Sequence, residues 1–149
     1  MNIAVGADHA GFQDKVKMVE YLRALGHQVT DCGTDSDAST DYPDYAANVA
    51  RAVADGRCDQ GLLVCGTGIG MSLAANKVPG IRAAACQSAE AAYFARAHND
   101  ANVLCVGSRL NSADQIRDMI DRWLATPFEG GRHARRVEKI AALECERTG

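Results

Sequence analysis

Short apolar runs alternate with longer amphipathic stretches along the whole chain. Asn2 to Ala7 (NIAVGA) reads as a first strand, buried on both faces. After Gly11, apolar residues at Phe12, Val16, Val19, Leu22 and Leu25 recur in steps of four and three, one helical stripe that Gly26 ends. His27 to Cys32 alternates weakly and reads as a second strand, followed by a polar loop from Gly33 to Asp41. Tyr42-Pro43 opens a helix that runs to about Asp55 and stops at Gly56. Leu62 to Cys65 is long enough for a buried third strand and too short for a helix. A glycine turn leads from it into a helix carrying Met71, Leu73, Ala74 and Ala75, which Pro79-Gly80 breaks. Ile81 to Cys86 is a fourth strand, Ser88 caps an alanine-rich helix ending near His98-Asn99-Asp100, and Asn102 to Val106 is a fifth strand. Ser112 with Gln115 makes a capping box for a helix to about Leu124. A loop from Thr126 to Gly131 precedes a last helix, from about Arg132 to Glu144.

Near-continuous apolar strands separated by helices predict an α/β fold: a five-stranded parallel sheet between two helical layers, with a C-terminal helix. Residues 1–149 read as a single domain without repeats, low-complexity segments or long linkers. An apolar fraction of 47% suffices for a real core, and a formal charge of −3 gives no reason to expect nucleic acid or an anionic membrane as partner. No run approaches the roughly 18 apolar residues of a membrane span, and the chain goes straight into Asn2-Ile3-Ala4-Val5, so no leader is expected. The cysteines at 32, 58, 65, 86, 105 and 145 form no C-x-x-C pair, the pattern of reduced thiols in a cytoplasmic protein. The dispersed histidines offer no local metal motif.

Candidate chemistry gathers at the strand ends, where open α/β sheets bind their ligands. Gly61 to Lys77 (GLLVCGTGIGMSLAANK) is strand, glycine turn and helix, with Gly66, Gly68 and Gly70 letting backbone amides approach an anion at a helix N-terminus. The spacing G-x-G-x-G is neither the dinucleotide fingerprint, whose third glycine would fall at Met71, nor a P-loop. Cys65 at the lip of the turn, with Thr67 two residues on, is a nucleophile or base beside an anion site; taken alone, such a cysteine is more often a small buried hydrophobe. Asp8, His9 and Arg109 also stand at strand ends, whereas His98 ends a helix that returns to the opposite edge. Arg132, His133 and Arg136 share one helix face, a cationic patch that suits a phosphate or is simply solvated.

Together, Asp8-His9, Thr40-Asp41-Tyr42-Pro43, Cys65 to Lys77 (CGTGIGMSLAANK), Gly80-Ile81-Arg82, Arg96-x-His98-Asn99-Asp100, Gly107-Ser108-Arg109 and Gly130-Gly131-Arg132-His133-x-x-Arg136 resemble the type B ribose-5-phosphate isomerases. The wider family includes allose 6-phosphate and galactose 6-phosphate isomerases, and the match covers nearly the whole chain in order. The resemblance implies a Rossmann-like fold and an aldose–ketose isomerisation of a phosphorylated sugar through a cis-enediolate, with no metal or organic cofactor. It implies Cys65 as the base at C2, with Thr67 beside it, and His98 as the residue assisting ring opening. It implies contacts from Asp8 to the ring oxygens and from Asn99 to the sugar or enediolate oxygens. The turn of Gly66, Gly68, Ile69 and Gly70 would form the anion hole. His9, Arg109, Arg132, His133 and Arg136 would serve phosphate and substrate, and Tyr42 would line the pocket. A homodimer or homotetramer with sites shared between subunits is implied as well, so that His98 or the C-terminal arginines could come from a second copy. A non-catalytic phosphate- or nucleotide-binding module and a thiol redox protein are the competing readings, and pocket depth, which decides between five- and six-carbon sugars, is not legible here.

Overall fold

The computed structural model describes residues 1–148. Five strands, β1 (Asn2–Ala7), β2 (Gln28–Asp31), β3 (Gln60–Cys65), β4 (Ala83–Ala85) and β5 (Val103–Gly107), form one sheet in the order β2-β1-β3-β5-β4, every pair parallel. Six helices accompany them: α1 (Phe12–Ala24), α2 (Tyr42–Ala54), α3 (Ile69–Ala75), α4 (Ala89–Asn99), α5 (Ala113–Ala125) and α6 (Arg132–Thr148).

Two apolar clusters fill the spaces on the two faces of the sheet. Met18, Val19 and Leu22 of α1, Ala92 and Ala95 of α4 and Ile116, Met119 and Trp123 of α5 pack with Val5, Val64 and Val106 on one face. Val49 and Val53 of α2 and Met71 and Ala75 of α3 pack with Ala4, Leu63 and Cys105 on the other. Alternation along each strand sends successive side chains to opposite layers, which is why both faces of β1, β3 and β5 had to be apolar. The chain runs outward from β1 to β2, then crosses back to β3, so the ends of β1 and β3 diverge into opposite layers and leave a crevice between them.

The buried face of α1 is rotated from the expected stripe. Val16 and Leu25 are 40% and 49% exposed, while Lys15 is buried beside Met18, Val19 and Leu22. The Lys15 ammonium donates to both carboxylate oxygens of Asp31, at 2.8 and 2.9 Å, and to the Thr34 carbonyl at 2.7 Å. Three acceptors meet its three N–H groups, so the charge is compensated where an apolar side chain would leave the β2 end unpartnered. Likewise Leu73, expected on the apolar side of α3, is 64% exposed. The fourth strand is shorter than the apolar run Ile81–Cys86, because Asn102 Oδ1 accepts the Arg82 amide and Asn76 Oδ1 accepts the Ala83 amide.

Lys15→Met should lower unfolding stability by about 2–4 kcal/mol in urea titrations, less than a fully buried pair because Asp31 retains partial access to water. An unchanged midpoint would mean the ion pair is only filler.

Candidate active site at the strand ends

The C-terminal ends of β1, β3 and β5 lie side by side, and three backbone hydrogen bonds continue the sheet beyond them. The amide of Asp8 donates to the Val64 carbonyl at 3.3 Å, that of Ser108 to the Cys65 carbonyl at 2.8 Å and that of Arg109 to the Gly66 carbonyl at 2.9 Å. Asp8, Cys65 and Arg109 are thereby held on neighbouring strands. Asp8 is buried, and its Oδ1 accepts the Gly11 amide at 3.1 Å, which closes the turn into α1. His9 Nδ1 accepts the Thr40 amide at 3.1 Å, which leaves Nε2 as the nitrogen that carries hydrogen in the neutral ring.

Cys65 is only 5% exposed, and the Gly68 amide donates to its Sγ at 3.1 Å. That bond requires the turn to fold back on the thiol. Gly68 makes this possible with φ of +81°, a conformation that a side chain would strain and that brings it against the Cys105 carbonyl. Thr67 Oγ1 accepts the Ile69 amide at 3.3 Å, so its own O–H is left to donate elsewhere. Two amides of the turn therefore have partners within it. Around the turn, the Arg109 side chain lies over Gly66, and the Tyr42 ring, at the start of α2, lies over Gly70. Ile69, Tyr42 and Arg109 are exposed at its rim.

The second half of the expected site is elsewhere in the chain. His98 and Asn99 end α4, which runs against the strand direction, so they stand near the start of β5, with Arg132, His133 and Arg136 of α6 beside them. A strand of five residues spans about 16 Å, and the two groups occupy its opposite ends. Within one copy, Asp8, His9, Tyr42, Thr67, Cys65 and Arg109 come together; His98, Asn99, Arg132, His133 and Arg136 form a separate cluster.

That second cluster contains a residue the sequence did not single out. Glu129 Oε2 lies 3.8 Å from His98 Nε2 and 3.5 Å from His133 Nε2, and its Oε1 accepts the Tyr93 hydroxyl at 3.3 Å. Its amide donates to the Ala97 carbonyl at 3.0 Å, tying the loop before α6 to α4. The only local clue was its place four residues before His133. The imidazoles of His98 and His133 stack with centroids 4.2 Å apart and planes 12° from parallel, and the Phe94 ring lies 5.0 Å from that of His98 at a tilt of 53°. Burial, then the neighbouring His98 and Arg132, push the His133 imidazolium below its usual range. Among the described residues these three side chains are the one group close enough to hold a metal, their ligand atoms within 4.8 Å of one another. The stacking opposes it: an ion in the plane of one ring lies about 4 Å out of the plane of the other, whereas coordination needs it in both planes at about 2 Å.

An open groove of about 540 Å³ adjoins this cluster, lined by Ile81, Arg82, Ala83 and Ala84 along and just before the edge strand β4, by Asn76 and Asn99, and by Ile140, Leu143 and Glu144 of α6. Ile140 and Leu143 are 45% and 57% exposed. Among the described residues no helix is long and apolar enough to cross a membrane.

A family model described as Ribose/Galactose Isomerase matches residues 3–140. The chain is 50% identical over 145 residues to ribose-5-phosphate isomerase B of Escherichia coli, covering 97% of each chain. It is 43% identical over 145 residues to D-erythrulose-4-phosphate isomerase of Pectobacterium atrosepticum, covering 97% of this chain and 95% of that one. The solved structure of ribose-5-phosphate isomerase B of Clostridium thermocellum superposes with a TM-score of 0.98 at 48% identity, covering 99% of both chains.

Proposed function

Because the chain belongs to the ribose/galactose isomerase family, matched along residues 3–140, we propose that it interconverts ribose 5-phosphate and ribulose 5-phosphate, with Cys65 as the base. The observation that carries this reading is the Gly68 amide on Cys65 Sγ at 3.1 Å, in a crevice that also holds Asp8, Thr67 and Arg109.

The aldose arrives as a ring, and His98 assists the transfer of the anomeric hydroxyl proton to the ring oxygen that frees the C1 aldehyde. The Cys65 thiolate then takes the proton from C2, and the electron pair moves through the C1–C2 bond onto the C1 oxygen, giving a cis-enediolate. The resulting thiol returns the proton to C1 as the C2 hydroxyl passes its own to the C1 oxygen and becomes the ketone, which leaves the thiolate restored. The amides of Gly66 and Gly70 and the Thr67 hydroxyl face the charge that develops on the enediolate oxygens. Such donors accelerate the step because they bind the enediolate more strongly than the sugar. Asp8 Oδ2 receives the sugar hydroxyls, and Asn99 an enediolate oxygen. Tyr42 and Ile69 form the pocket wall. His9, Arg109, Arg132, His133 and Arg136 grip the phosphate, whose binding energy holds C2 against the thiolate.

Residues 1–149 act as one domain, in a homodimer or homotetramer whose sites each take Cys65 from one copy and His98 from another. The separation of the two clusters within a single copy supports this, as does the open groove along β4 and α6, where Ile140 and Leu143 are exposed. The protein functions in the cytoplasm, in pentose phosphate metabolism, with neither metal nor organic cofactor.

The test is kcat/KM for ribose 5-phosphate, erythrulose 4-phosphate, allose 6-phosphate and galactose 6-phosphate, measured side by side in EDTA. The expected result is a preference for ribose 5-phosphate that EDTA leaves unchanged. A preference for the four- or six-carbon substrates would keep the mechanism and change the assignment. Turnover of none would overturn it.

A further inference from the structure

Glu129 is the group in the second cluster for which the mechanism has no use, and its surroundings are specific. One carboxylate oxygen faces both imidazoles, the other is held by Tyr93, and the backbone of the same residue is tied to Ala97, one residue before His98. The imidazoles stack on each other and the Phe94 ring packs against His98 at a tilt, so turning either ring disturbs a contact. Two bases and one acid at ion-pair distance, in a geometry that excludes a shared metal ion, are suited to holding a proton.

We propose that Glu129 is a positioning residue: its carboxylate fixes the stacked His98–His133 pair and keeps a proton on it for the opening of the sugar ring. This rests on the isomerase reading above. The carboxylate works against the other charges around the pair. Burial, the neighbouring His98 imidazole, and Arg132 and Arg136 on α6 all oppose protonation of His133, and Glu129 favours it. Arg122 of α5 stands over the Tyr93 ring at 4.9 Å, and the Tyr93 hydroxyl donates to Glu129. With the carboxylate removed, the cationic neighbours are unopposed and the pair gives up its proton at lower pH.

Glu129→Gln keeps the size of the side chain and an acceptor for Tyr93 while removing the charge. Ribose 5-phosphate is cyclic and must open, whereas ribulose 5-phosphate has its O5 blocked by phosphate and is already open. In the whole oligomer the variant should lower kcat from the aldose by about tenfold to a hundredfold and lower kcat from the ketose by less than about threefold. The limb of the aldose pH–rate profile that belongs to the pair should move to lower pH by about half a unit or more. The imidazole NMR titrations of His98 and His133, assigned with His98→Asn, should move the same way without any substrate. Glu129→Asp, which keeps the charge on a shorter side chain, should fall between. Equal losses in the two directions, or histidine titrations that Gln and Asp leave unmoved, would overturn the proposal. Absence of turnover by the unsubstituted enzyme in either direction would overturn the isomerase reading instead, and the titrations would still decide whether Glu129 holds the proton.

Discussion

Cys65→Ala should reduce kcat by roughly 10³ or more in both directions, while the dissociation constant for a phosphosugar, read by calorimetry, changes by less than about threefold. The thiol is nearly buried and bonded to the Gly68 amide, so the Ala variant loses one acceptor and a small volume but no contact on which the turn depends for its course. The turn is held from outside by the bonds from Ser108 and Arg109 to the Cys65 and Gly66 carbonyls, which the substitution leaves in place. Binding should therefore survive, because the phosphate contacts proposed above are at other residues, and only proton transfer at carbon is lost. Cys65→Ser should be nearly as inactive, since a hydroxyl in the same place is far less ionised than a thiol at neutral pH. Near-normal turnover in Cys65→Ala would remove the thiol from the mechanism. It would leave the glycine turn as an anion-binding loop, with Cys65 the small buried hydrophobe that its accessibility alone suggests.

The sheet was legible because strands buried on both faces must be apolar where they are covered, and β1, β3 and β5 are, apart from Asn2 and Gln60 at the starts of the first two. The edge strands were less so. Gln28–Asp31 is largely exposed, and the chain near β4 is fixed by Asn102 and Asn76, whose side chains stand in for strand partners in a way no periodicity reveals. The rotation of α1 was hidden for a related reason: Lys15 counts as polar in any pattern, yet its three donors find three acceptors from residues sixteen and nineteen positions away. At the site, the glycine turn was readable because its chemistry is local in sequence. The division into two clusters follows from α4 running antiparallel to the strands, which the order of elements already implied for His98. Glu129 acquires its meaning only from a loop that the Ala97 carbonyl draws back onto α4.

The same division gives the other large expected effect. If each site takes Cys65 from one copy and His98 from another, Cys65→Ala and His98→Asn should complement. Assayed on ribose 5-phosphate, each variant alone is nearly inactive. Refolded together in equal amounts, half the pairs are mixed, and each mixed pair contains one site with both lesions and one with neither. Activity should therefore return to about a quarter of that of the unsubstituted protein. The effect is large because the gain is measured against two nearly silent backgrounds. Sites built within a single copy would show no recovery at any mixing ratio, since every site would carry one lesion or the other. The groove beside β4 makes the geometry specific. A charge placed on its apolar rim, as in Leu143→Glu, should prevent association and abolish the recovery, leaving a folded single copy in which Cys65 and His98 stand at opposite ends of the sheet.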